Sequence, residues 1–175
     1  MRLVTTHRLL FIVGSLQTGS ANRAVLDAAA HAAGDDSLVT WFERLGEVPP
    51  FNPDRADESA PAVETLRRQV TEADAIVIAT PEYAHSLPGV LKNALDWLVG
   101  TGELYGKTVG LISAGTSGGA RALAALEQTL RAQGAEVAAR LEIAGVTPKR
   151  GPGGDITDQA TIADIDALVR SLVGH

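Results

Sequence analysis

Between Gly14 and Asn22 the chain reads Gly-Ser-Leu-Gln-Thr-Gly-Ser-Ala-Asn, with hydroxyls at Ser15, Thr18 and Ser20 and a second glycine at Gly19. An apolar run, Leu9-Leu-Phe-Ile-Val13, precedes it and a helical pattern follows. At such a strand-to-helix turn, unpaired backbone N–H groups and the positive end of the helix dipole attract an anion. The hydroxyls add donors, and the glycines let the backbone approach closely. A phosphate dianion suits this chemistry. The stretch has neither the lysine of a triphosphate-binding loop nor G-x-G-x-x-G spacing, so a terminal monophosphate fits better than a pyrophosphate. The simpler use of the same residues is helix capping by Ser20 or Asn22.

A second junction follows the apolar run 75–79, where Pro81 fixes the backbone and Glu82 and Tyr83 come next. Backbone donors and acceptors at this edge can pair with the rim of a flat heteroaromatic ring such as a flavin. Tyr83 then stacks on the ring or lines its pocket, or else covers the core. Glu82 pairs with a partner subunit or is solvated. His85 donates to a substrate or nicotinamide, or is simply exposed. Lys92, Asn93 and Asp96 read as structural or interfacial. A third junction, Ser113-Ala-Gly-Thr-Ser-Gly-Gly-Ala-Arg121, places Ser113, Thr116 and Ser117 within reach of the same ligand. Its glycines also suit plain close packing of a helix.

These junctions need elements to position them. Strand-like runs recur at 8–13, 38–42, 75–79, 108–113 and 136–143, separated by helical patterns such as Val63, Leu66 and Val70, or Leu123, Leu126 and Leu130. The alternation predicts an α/β fold: a flavodoxin-like three-layer sandwich whose five-stranded parallel sheet has the order 2-1-3-4-5, with helices on both faces. The junctions after strands one and three then fall at the topological switch point, where ligands bind. Ile162, Ile165, Val169 and Leu172 mark a last helix, capped by Asp155 or Thr157. Two long loops, 43–59 and 144–155, either frame a site or partner contact or are plain connections.

The 175 residues read as one flavodoxin-like FMN-binding domain, residues 1–175. With no cysteine, thiolate chemistry and disulfides are excluded, which suits a reducing compartment, and a cytoplasmic location is expected. A net charge of −6 argues against nucleic acid as a partner. The run 9–14 is too short to span a membrane, and, although Arg2, His7 and Arg8 precede it, short for a signal peptide. The scattered histidines and carboxylates do not form a metal set.

The three junctions together resemble the NADPH-dependent FMN reductase family, which includes azo, quinone and chromate reductases. GSLQTGSAN resembles that family's GSLRxGSxN loop, PEYAHSLPGVLKNALDWL at 81–98 its PEYNxSxPGxLKNAIDWL signature, and SGGAR at 117–121 its counterpart. The resemblance implies non-covalent FMN, reduction by NADPH or NADH, and a homodimer or homotetramer. By position it assigns the phosphate to Ser15, Gln17, Ser20 and Asn22, with Ala21 a further cofactor-binding residue. The ring falls to Pro81, Glu82, Tyr83 and Ala84, with Ser113, Ala114 and Gly115 nearby. Gln17 stands where the family usually has arginine, and Ala84 where it has asparagine. Together these departures are expected to weaken FMN binding or alter its potential.

The implied function is an FMN-dependent NAD(P)H oxidoreductase. Hydride passes from the nicotinamide to flavin N5, and electrons go on to a small acceptor: free flavin, a quinone, an azo compound or a metal oxyanion. No side chain is required as acid or base. The alternative is a non-catalytic flavin-binding electron carrier or redox-sensing module. A preference for NADPH needs a cation, for which Arg121, Lys149 and Arg150 are candidates. Helix 88–98, with Trp97 and Leu98, is a candidate subunit interface.

Overall fold

The computed structural model describes residues 6–55, 58 and 60–173. Arg2, and residues 56, 57 and 59 of the loop 43–59, lie outside them. Five strands, β1 (His7–Val13), β2 (Ser37–Phe42), β3 (Ala75–Ala79), β4 (Thr108–Gly115) and β5 (Glu136–Ala144), alternate with five helices. These are α1 (Ala21–Ala33), α2 (Pro61–Glu72), α3 (Gly89–Asp96), α4 (Ala120–Ala132) and α5 (Gln159–Val173). The sheet is parallel throughout, in the order β2-β1-β3-β4-β5. The predicted strands are therefore found, each within two residues at either end.

Two-sided burial explains why the central strands are unbroken apolar runs. In register, Leu9 lies beside Ala75 and Phe11 beside Val77, and these residues point into a core shared with α1 and α5. Leu10, Ile12, Ile76, Ile78 and Leu111 point the other way, into a core shared with α2, α3 and α4. At Gly110 the α5 face comes down onto the sheet: a Cβ there would lie 2.9 Å from Leu168 Cδ2 and 3.0 Å from Leu172 Cδ1. No helix of the described residues is long and apolar enough to cross a membrane.

Two expectations are corrected. Trp97 and Leu98, read as a subunit interface, are 4% and 1% exposed and belong to this chain's own core. Their apolar spacing packs α3 onto the sheet, which sequence alone cannot tell from a stripe awaiting a partner. The last helix is capped by Asp158 rather than Asp155 or Thr157, because Asp158 Oδ2 accepts from the Thr161 N–H at 2.9 Å and from its hydroxyl at 2.7 Å. Asp155 and Thr157 lie too far before the first turn for that geometry.

The loop after β2 is tied down as far as it is described. Asn93 Oδ1 accepts from the Phe51 N–H at 2.8 Å, its Nδ2 donates to the Pro49 carbonyl at 2.9 Å, and Trp97 Nε1 donates to the same carbonyl at 2.8 Å. Asn93 is thus structural, and Lys92 pairs with Asp96 along the outer side of α3.

Because α5 leaves no room above Gly110, Gly110→Val should cost about 1–3 kcal/mol by overpacking. Urea unfolding reads this as a lower midpoint at unchanged slope; an unchanged midpoint would mean that α5 is free to lift.

Candidate functional site

A parallel sheet delivers the ends of all its strands to one edge, and here the loops after β1, β3, β4 and β5 enclose a cleft of about 490 Å³ at that edge. Gln17, Ser20, Ala21, Asn22, Pro81, Glu82, Tyr83, Ser113, Ala114 and Gly115, all anticipated, line it. Ser15 instead lines an adjoining hollow with Leu16 and Arg23, and its Oγ accepts from the Gln17 N–H at 3.1 Å. Ala84 is exposed at the tip of the turn beyond Tyr83 and does not reach the cleft wall.

The first loop is a cradle of donors. Ser20 caps α1, its Oγ accepting from the Asn22 N–H at 3.2 Å, which leaves the hydroxyl proton free to point into the cleft. Among the described residues the amides of Thr18, Gly19 and Ala21 meet no protein acceptor. Capping and anion binding are thus compatible uses of one turn. Asn22, by contrast, is buried and fully engaged: its Nδ2 donates to the Ala114 carbonyl at 3.1 Å and its Oδ1 accepts from the Ala114 N–H at 2.9 Å. It joins the first loop to the end of β4.

Glu82 makes the matching link from the second loop. Its Oε2 accepts from the backbone N–H groups of Arg121 at 3.0 Å and Ala122 at 3.1 Å, capping α4 with a carboxylate where the helix dipole favours one. The Ala122 N–H is the main cause holding its carboxyl below the usual glutamate range; desolvation opposes this, and His85 and the Arg121 N–H add to the lowering. The acid anticipated as solvated or partner-bound is thus a brace between two cleft walls. His85 is exposed beside it, its Nδ1 3.5 Å from Glu82 Oε1.

The turn carrying Tyr83 is narrow. Tyr83 and Ser86 exchange backbone hydrogen bonds at 2.9 and 3.0 Å, and the two residues between them, Ala84 and His85, have φ of 49° and 64°. Left-handed backbone costs an alanine energy that an asparagine largely avoids. The difference at position 84 therefore bears on this turn's conformation. Tyr83 itself is 51% exposed at the cleft mouth.

The cleft also fits a bound group. Ser113 is 1% exposed, and its Oγ has no partner among the described residues. Gly119 (φ +71°) closes over it so tightly that a Cβ there would overlap that oxygen. Buried hydroxyls are normally satisfied, and this one, on a residue that lines the cleft, has no protein partner among the described residues. Volumes of roughly 300–1,000 Å³ are usual for small-molecule sites. Thr116, Ser117, Gly119, Val146, Thr147 and Arg150 complete the lining. Thr147 and Val146 were not foreseen as site residues; the only signal for them was the length of the loop 144–155. Of the three candidate cations, Arg150 alone lines the cleft.

A model of the NADPH-dependent FMN reductase family matches residues 7–146. An NAD(P)H-dependent FMN reductase of Pseudomonas aeruginosa is 41% identical over 128 residues, covering 70% of this chain and 69% of that protein. A quinone reductase of Escherichia coli K12 is 37% identical over 165 residues, covering 89% and 87%. Among solved structures, FerB, a flavoenzyme NAD(P)H:(acceptor) oxidoreductase of Paracoccus denitrificans, superposes with a TM-score of 0.81 at 25% identity, covering 97% of this chain and 99% of that one.

Two stability measurements follow. Because the folded state holds Glu82 ionised, its contribution is complete above the ordinary glutamate value and is lost as pH falls through its own lowered one. Glu82→Gln should therefore be less stable than the parent at neutral pH, with the two converging in acid; a gap independent of pH would contradict the brace. Ala84→Asn should raise stability by roughly 0.5–1 kcal/mol by relieving the left-handed turn. A lower melting temperature would show that the turn is not held in that conformation.

Proposed function

The chain belongs to the NADPH-dependent FMN reductase family, and on that premise we propose that its four-loop cleft holds FMN for ping-pong electron transfer from NAD(P)H to a small acceptor. One observation carries the reading: four segments distant in sequence bring a donor-rich helix N-terminus and an unpartnered buried hydroxyl into one cavity.

The redox chemistry, hydride acceptance from NAD(P)H followed by electron delivery to the acceptor, is what FMN supplies when bound. The chain's residues bind and orient. The amides of Thr18, Gly19 and Ala21, with the Ser20 hydroxyl, would hold the phosphate. Pro81 and Tyr83 on one side, and Ser113, Ala114 and Gly115 on the other, would hold the ring. Glu82 is the only carboxylate lining the cleft among the described residues, and it is committed to the α4 N-terminus. No side chain is thereby poised as acid or base, which suits chemistry whose rate comes from alignment of donor and acceptor.

Quinones and free flavins are the acceptors this reading favours, supported by the Pseudomonas aeruginosa FMN reductase and the Escherichia coli quinone reductase; azo compounds and metal oxyanions share the same reach. A homodimer or homotetramer, which the family resemblance implies, is part of the reading. A cytoplasmic location is supported by the absence of cysteine.

The test is the visible spectrum of protein reconstituted with FMN, followed by anaerobic NADPH and then a quinone. Flavin bands that bleach with NADPH and return with the quinone are expected. Bands that never bleach would leave a flavin-binding protein without the reductase activity.

A further inference from the structure

The first loop carries no cation of its own, since Gln17 is neutral, yet a phosphate dianion buried in part from solvent calls for one. Arg23, the nearest basic residue in sequence, is committed elsewhere. Its guanidinium pairs with Asp27 at 3.1 Å and Glu43 at 3.0 Å and lies 4.0 Å from the Trp41 ring centroid. Lys149 and Arg121 do not line the cleft.

Arg150 does, and the loop after β5 is built around it. Its Nε donates to the Gly154 carbonyl at 2.6 Å, and Arg150 and Ile156 pair across the base of the loop. Within the loop the Gly151 N–H donates to the Asp155 carbonyl at 2.9 Å. Gly154 has φ +87°, a backbone that favours glycine, and a Cβ on it would lie 2.9 Å from Arg150 Nη2. From this mount Nη2 reaches across 131 positions of sequence to the Gly19 carbonyl at 3.3 Å, at the mouth of the amide cradle. No carboxylate pairs with Arg150, and its Nη1 has no partner among the described residues.

We propose that Arg150 is the phosphate-binding cation of this site, supplied by the β5–α5 loop in place of an arginine at position 17, and that it makes the cleft select FMN over riboflavin. This rests on the FMN reading of the cleft. The charge is neutral on one side of the choice: riboflavin presents the same ring without the phosphate, so an arginine acting on the phosphate alone changes the binding of only one of the two.

The test compares dissociation constants for FMN and riboflavin, read by quenching of flavin fluorescence, in the parent, Arg150→Gln, Arg150→Lys and the double variant Gln17→Arg/Arg150→Gln. Arg150→Gln should bind FMN about tenfold to a hundredfold more weakly and riboflavin as the parent does, since hydrogen bonds to charged groups carry that range. Arg150→Lys should fall between, keeping the charge without the fork. Gln17→Arg should restore most of the lost affinity in the double variant. Parent-like FMN binding by Arg150→Gln would overturn the proposal. So would equal weakening of both flavins without rescue, which would make Arg150 a brace of the loop. A parent that quenches neither flavin would overturn the FMN reading itself, and the proposal with it.

Discussion

The Asn22 carboxamide and the Ala114 peptide group form a closed pair of hydrogen bonds, buried and 92 residues apart in sequence. Leaving either group orphaned would carry a desolvation cost of about 1–3 kcal/mol. The pair fixes the first turn of α1 against the end of β4, and hence the distance between the donor cradle and the opposite cleft wall. Glu82 sets the remaining side by anchoring the turn after β3 to the start of α4. The cleft therefore has fixed walls although it is made of loops, the preorganisation that alignment-driven chemistry needs.

That arrangement explains how residues divide between holding the site and facing the ligand. Asn22 and Glu82, polar and motif-borne, spend their side chains on backbone groups of other loops. What faces the cavity is largely backbone amide and hydroxyl, with Tyr83 at the mouth and Arg150 beside the Gly19 carbonyl. A site of this make-up tolerates changes at positions such as 17 and 84 better than at 22 or 82. The former alter one contact or one turn; the latter would move a wall.

The fold was legible because its signals are local. The apolar runs 75–79 and 109–112 and the helical spacing of Leu123, Leu126 and Leu130 are each carried by neighbouring residues, and parallel order follows from the alternation of strand and helix. The cleft was legible for the same reason at its three motif loops. Long-range partners were not: nothing in the local sequence says that Glu82 faces the amides of Arg121 and Ala122, or that Arg150 reaches Gly19. Burial of Leu98 was equally hidden, because an apolar stripe reads alike whether it meets the core or a second subunit. Position 84 is intermediate, since its departure from the family pattern is visible but the left-handed backbone that gives it meaning is not.

The central claim is that four loops at the strand ends form one FMN site. Amide chemical-shift mapping of isotope-labelled protein titrated with FMN tests it most directly. The account predicts the largest perturbations at residues 15–22, 81–83, 113–119 and 146–150, saturating together. Perturbations centred elsewhere, such as the separate cavity of about 380 Å³ beside Trp97 and Arg44, would contradict it.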